Sequence, residues 1–351
     1  MASNTFLLYG ANGYSGKLIT DLAGAYGLKP VLAGRNEKSI RQVADKYSLD
    51  YIIVDLSETE KLKQVFSRFP LVLNAAGPFR YTADRITETC LQTRTHYIDI
   101  TGEIEVFEML FQKDPLAKNA GIVLLPGAGF DVVPTDCMAL WLKNQLPGAT
   151  KLQLAFANEG SGISHGTAHT MIEGLGMGGA VRKDGKIIPK PLGHKGMWVD
   201  FGSKKLFVMS IPWGDVSTAY HTTGIPNIET YTAVPQKVFK ALKIQGLFNW
   251  ILRTEMVKNL ARKKINAGPA GPTPEKRKNA FSYVWGRAED DNGNSVTGKM
   301  ITPDGYTLTA HSSLLIAKKI LNNQLKPGFQ TPAGLYGADL VLEIPGTERI
   351  I

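Results

Sequence analysis

Asp131, His165 and His169 are the side chains whose types and settings best suit proton transfer in this sequence. Asp131 stands in Gly129-Phe130-Asp131-Val132-Val133-Pro134-Thr135-Asp136, where a turn and a proline separate it from a second carboxylate. His165 and His169 stand in SGISHGTAHT, four residues apart, so one helical face can carry both. Imidazole gives or takes a proton near neutral pH, and a Gly/Ser loop entering a helix also offers N–H donors to a ligand. Each candidate has a plain structural alternative. Asp131 can cap a helix or brace a hinge, and the histidines can simply pack. Asp136, ahead of CMALWL, reads as a helix cap. Glu103 reads as a cap first and a cofactor contact second; Tyr81 and Tyr220 read as packed phenols. A two-histidine metal site lacks an evident third ligand, so no metal is expected.

A different chemistry is written in Gly10-Ala11-Asn12-Gly13-Tyr14-Ser15-Gly16. A diphosphate needs backbone N–H donors at a helix N-terminus and no Cβ in its way. Glycines spaced GxxGxxG between a strand and a helix allow the tight turn, the close approach and the close helix packing that this requires. Asn12, Tyr14 and Ser15 fill the turn. The next strand ends Leu32-Ala33-Gly34-Arg35-Asn36, with no acid to accept from a ribose 2′-hydroxyl. Arg35 can instead hold a 2′-phosphate through charge-assisted hydrogen bonds, with Asn36 beside it. NADP is therefore expected over NAD. A fourth strand runs into Ala75-Ala76-Gly77-Pro78-Phe79. Its small residues suit a nicotinamide lying against the backbone, so Ala76, Gly77, Pro78 and Phe79 join the cofactor set.

The elements that must hold these residues follow from periodicity. Apolar runs at 5–10, 30–33, 51–54, 71–74, 97–100 and 122–125 read as strands. Helical stretches at 14–26, 37–47, 58–66, 85–94 and 104–119 lie between them. Strands separated by helices pair in parallel, which predicts an α/β doubly wound Rossmann domain over residues 1–130. Longer alternating strands and Gly-rich loops predict an inserted α+β domain, mostly antiparallel, over 131–305. Helices at 312–322 and after Pro332 suggest that 306–351 returns to the first domain.

Composition narrows the classes. Two cysteines in no metal spacing suit a reducing compartment. The opening residues lack a signal-peptide pattern and no apolar run reaches membrane-span length, so the expected location is cytoplasmic. Net charge is +9, and residues 237–278 alone hold eleven Lys/Arg against two Glu. With the excess in one segment and no nucleic-acid motif, nucleic acid is not an expected partner. Residues 238–265 mix apolar and basic residues at helical spacing. They predict a basic amphipathic helix that covers the second domain, mediates a homodimer, or lies peripherally on an anionic membrane.

The stretches YGANGYSG, LAGRN, NAAGPF, YIDITGE, PGAGFDVVPTD, SGISHGTAHT, GPTPEKRK, GYTLTAHSS and PGFQTPAGLYGADLVLEIPG resemble the saccharopine dehydrogenase-like superfamily, in its trans-acting enoyl reductase-like branch. The resemblance implies an NADP-binding Rossmann domain, an inserted α+β domain, and oxidoreductase chemistry. The expected reaction is hydride transfer to a C=C or C=N bond of a hydrophobic, acyl-linked or amino-acid-derived substrate, in a cleft between the domains. The alternative is a catalytically silent NADP-binding protein at a membrane surface.

Overall fold

Aliphatic and β-branched runs alternate with amphipathic helices through the first third of the chain. In the computed structural model, which describes residues 4–245 and 249–350, they form β1 Thr5–Tyr9, α1 Tyr14–Leu22, β2 Lys29–Gly34, α2 Glu37–Tyr47, β3 Tyr51–Ile53 and α3 Thr59–Phe66. Then follow β4 Leu71–Asn74, α4 Ala83–Thr93, β5 His96–Asp99, α5 Ile104–Gln112, α6 Asp114–Ala120 and β6 Val123–Leu125. The helix expected over 104–119 is two helices, because Pro115 in the first turn of α6 cannot continue α5.

The middle of the chain forms α7 Val133–Gln145, β7 Lys151–Glu159, α8 His165–Glu173, β8 Gly179–Lys183, β9 Lys186–Lys190, β10 Gly196–Asp200, β11 Lys205–Ser210, α9 Asp215–Thr223 and β12 Asn227–Ala233. Next come α10 Gln236–Gln245, α11 Asn249–Leu252, α12 Glu255–Asn266, α13 Pro274–Lys278, β13 Phe281–Glu289 and β14 Ser295–Pro303. The chain ends with α14 Gly305–Leu321, β15 Gly328–Phe329, α15 Pro332–Tyr336 and β16 Glu348–Ile350. The amphipathic stretch 238–265 is therefore not one helix: the backbone is extended at Thr254 and α12 starts afresh after it. Residues 246–248 of that stretch lie outside the described residues. α7 likewise begins at Val133, so Asp136 sits inside its first turn, not at its cap, and accepts a hydrogen bond from the Thr222 hydroxyl (2.6 Å).

Two compact units result, residues 1–133 with 306–335, and residues 134–305 with 336–351. The expectation that all of 306–351 joins the first domain is thus corrected. The last residues supply β16, which pairs antiparallel with β14 of the second unit. In the first unit a seven-stranded sheet runs β15-β6-β5-β4-β1-β2-β3, and every pair is parallel. Leu7, Val72, Tyr97 and Leu124 from its strands bury against Phe66, Ile86 and Leu110 from its helices. Strand order reverses between β1 and β4, and this is where open α/β sheets leave a crevice at their carboxyl ends. In the second unit a mixed nine-stranded sheet runs β10-β11-β12-β7-β13-β14-β16, with the β8–β9 hairpin attached to β12. It is antiparallel apart from the β12–β7 pair. No helix among the described residues is long and apolar enough to cross a membrane.

Candidate active site at the carboxyl ends of the parallel strands

β1 ends in a turn that only glycine fits. Gly10 has φ +84°, and a Cβ there would lie 2.7 Å from the Ala76 nitrogen. The turns after β1 and β4 are therefore in direct contact. Gly16 sits one helical turn into α1, where a Cβ would lie 2.5 Å from the Gly10 carbonyl oxygen. Its absence lets the helix start flush against the turn. Gly13 is the N-cap of α1 and no side chain caps that end, nor is there an acid in its first turn. The partial positive charge of the helix start is thus left for a ligand anion. Tyr14 packs its ring edge-on against Tyr306 at the start of α14 (centroids 4.9 Å). Arg35, just past β2, is exposed. Asn36 next to it caps α2, accepting from the Ser39 N–H (3.0 Å).

The turn after β4 is held from two sides. Buried Asn74 accepts from the Ala76 N–H (3.0 Å) and donates to the Thr82 and Tyr97 hydroxyls. Glu103, buried just before α5, accepts from the N–H groups of Phe79 (2.8 Å) and Arg80 (2.9 Å). Glu103 is consequently a brace across two loops and not a side-chain cap on α5. The Gly77–Pro78 peptide is cis, and the buried Phe79 ring lies against Gly77. After β5, buried Asp99 accepts from Tyr97 Oη (2.6 Å) and from the N–H groups of Thr101 and Gly127, joining the β5 and β6 loops. Burial raises its carboxyl to about 6, against those hydrogen bonds.

Asp131 completes the row. Its Oδ2 is so close to Gly102 that a Cβ there would lie 2.7 Å away. Desolvation, and secondarily the charge of Glu103, push its carboxyl up to about 7. No described side chain or amide hydrogen-bonds it, whereas Asp99 is fully engaged. A partly buried carboxyl of near-neutral pKa, at the strand ends, is equipped to give up a proton at physiological pH.

The family model for the saccharopine dehydrogenase NADP binding domain matches residues 6–125, which span β1 to β6. The N-terminal domain belongs to that family. Its cofactor is NADP. The saccharopine dehydrogenase-like oxidoreductase of Rattus norvegicus is 28% identical over 202 residues, covering 50% of this chain and 47% of its own. The trans-acting enoyl reductase of Mycobacterium leprae is 33% identical over 140 residues, covering 37% of this chain and 33% of its own. The chain thus spans about half the length, or less, of these curated relatives. The solved structure of apo saccharopine dehydrogenase (L-Glu forming) from Saccharomyces cerevisiae matches with a TM-score of 0.67 at 13% identity. It covers 99% of this chain and 100% of that one, a likeness of fold.

The residues of the NADP-binding domain fit the cofactor. The bare Gly10–Gly16 turn and uncapped α1 can take the diphosphate, Arg35 can take the 2′-phosphate, and Ala76 to Pro78 offer backbone beside them. Two of the expected contacts have other employment: the Asn36 side chain caps α2, and the Phe79 N–H is taken by Glu103. His165 and His169 fall in the second unit, on one face of α8 as their spacing predicts. His165 Nε2 hydrogen-bonds the Gly268 carbonyl (3.1 Å) and His169 Nε2 the Asn266 side chain (2.9 Å). Both thereby tie α8 to the end of α12. Tyr220 stacks under Arg182 (4.1 Å), and Tyr81 is 64% exposed. Asn74 and the bracing role of Glu103 escaped the sequence reading. Asn74 signals itself only as a polar residue closing the apolar run LVLN, and Glu103 acts across 24 residues of chain.

Proposed function

We propose that the protein is an NADPH-dependent reductase acting on a C=C or C=N bond of a hydrophobic, acyl-linked or amino-acid-derived substrate, with Asp131 as the proton donor. The observation that carries this reading is the unpaired Asp131 carboxyl, raised to about 7, in the row of loops that begins with the glycine turn. The cofactor supplies hydride. The chain's own contribution is to hold the diphosphate on α1 and to shape the β4 loop through Asn74 and Glu103. Asp131 Oδ2 then protonates the acceptor atom left negative by hydride addition. The relatives named oxidoreductase and enoyl reductase support the reaction class. The buried free thiols Cys90 and Cys137 support a reducing, cytoplasmic setting.

NADPH oxidation measured against enoyl thioesters, imines and aldehydes tests the proposal. One class should be reduced, with a rate that falls as pH rises through about 7 because the acid form is required. Asp131→Asn should lower kcat by roughly 10²–10⁴ while leaving NADPH affinity unchanged. NADPH binding without turnover of any class would favour the catalytically silent alternative. Unimpaired turnover by Asp131→Asn would move the acid elsewhere.

A further inference from the structure

One helix of the second unit carries apolar side chains on two sides. A helix of a globular protein turns its apolar stripe inward. On α12 the inner side mixes partly buried Val257, Ala261 and Ile265 with an ionic cluster. Arg262 Nη2 lies 2.5 Å and Lys258 Nζ 3.7 Å from the carboxylate of Glu173, a buried residue of α8. Glu255 adds a second partner for Arg262 at 3.0 Å. No residue of α12 is buried. Met256 and Leu260, one turn apart on the opposite side, are 85% and 71% exposed, and Trp250 in neighbouring α11 is 71% exposed. Lys263 and Lys264 continue that outer side by one turn and are exposed too. Such a row of large apolar side chains costs solvation in water unless something covers it.

We infer that the outer side of α11 and α12 docks on an anionic lipid bilayer. Trp250, Met256 and Leu260 enter the boundary between headgroups and acyl chains, and Lys263 and Lys264 meet lipid phosphates. Charge selects this occupant. Beyond Lys258 and Arg262, which pair inward, residues 237–278 hold nine cations against two Glu and so complement an anionic surface. A two-fold contact through the same side would set two such clusters against each other. The ion pairs to Glu173 hold the helix with Met256 and Leu260 outward before any membrane is met.

Flotation of the full chain with vesicles of phosphatidylglycerol in phosphatidylcholine, and of phosphatidylcholine alone, tests the inference. Binding should be at least about tenfold tighter to the anionic vesicles, weaken with salt, and shift tryptophan emission to the blue. Met256→Ser/Leu260→Ser and Lys263→Glu/Lys264→Glu should each weaken it by about tenfold or more. NADPH affinity, measured on the same samples, should not change and so reports intact folding. Failure of the parent protein to float with anionic vesicles at low salt would overturn the inference, as would equal flotation of both variants. So would sedimentation showing that the apolar substitutions only convert a dimer to monomers, because a second copy would then be the cover.

Discussion

Glu103 and Glu173 are both buried glutamates, one in each unit, and they are satisfied in opposite ways. Glu103 accepts from two main-chain N–H groups, with Arg80 Nε standing off at 3.5 Å. Glu173 is met by the side chains of Arg262 and Lys258. A carboxylate bonded to amides fixes the path of a loop and keeps much of its charge, which is why it bears on Asp131. A carboxylate bonded to cations neutralises its surroundings and fixes only the packing of two helices. Polar groups of the first kind gather at the strand ends of the NADP-binding domain. Those of the second kind close on one another within the second unit, where the histidines of α8 also tie that helix to the end of α12.

The comparison can be broken at its strongest point first. Gly10→Val places a branched side chain at φ +84° and against the Ala76 backbone. NADPH binding should be lost, with about 3 kcal/mol or more of stability. Fluorescence titration and thermal unfolding would measure both, and retained affinity would show that the turn is not the cofactor cradle. Arg35→Ala should weaken NADPH by roughly 10–100-fold and leave NADH unaffected. An unchanged ratio of the two affinities would remove Arg35 as the reader of the 2′-phosphate.

The smallest and sharpest test pairs the two glutamates. Glu103→Gln should cost about 1–3 kcal/mol, because a Gln amide cannot accept from both N–H groups. It should also move the alkaline loss of activity to lower pH, since removing a like charge lowers the Asp131 pKa. The linkage has a definite sign. Asp131 binds its proton more tightly folded than unfolded, so its contribution to stability is greatest below about pH 4 and erodes as pH rises towards about 7. Glu103→Gln should reduce that erosion. Glu173→Gln should cost comparable stability without moving either pH dependence. A pH shift in the Glu173 variant would erase the distinction between the two sites.

Much of the first unit was legible in the sequence because its signals are local. Six apolar runs between helices announce six parallel strands, and a glycine turn at the first strand end announces a phosphate site. β15 was not legible, since two residues carry no period. The capping role of Asn36 was written locally, ahead of Glu37 and Ser39, but its place beside Arg35 invited a ligand reading. The spacing of His165 and His169 correctly put them on one helical face. Their partners lie about 100 residues away, so spacing could not distinguish a proton donor from a tie. α12 shows the same limit. Periodicity reports that a helix has two sides, and the position of Glu173 shows which of them faces inward.

The late arrival of β15 bears on synthesis. Gly328 and Phe329 extend the sheet beside β6, where Asp114 accepts from the Phe329 N–H (2.9 Å) and Phe111 meets its ring. When residues up to 133 have left the ribosome, the outer edge of β6 still lacks that neighbour. It must wait for about 200 further residues, roughly 10–40 s of elongation. During that interval a row of unpaired amides and carbonyls beside an apolar strand is open to other nascent chains, so the yield of folded protein should respond to elongation rate and to chaperones that shield strand edges.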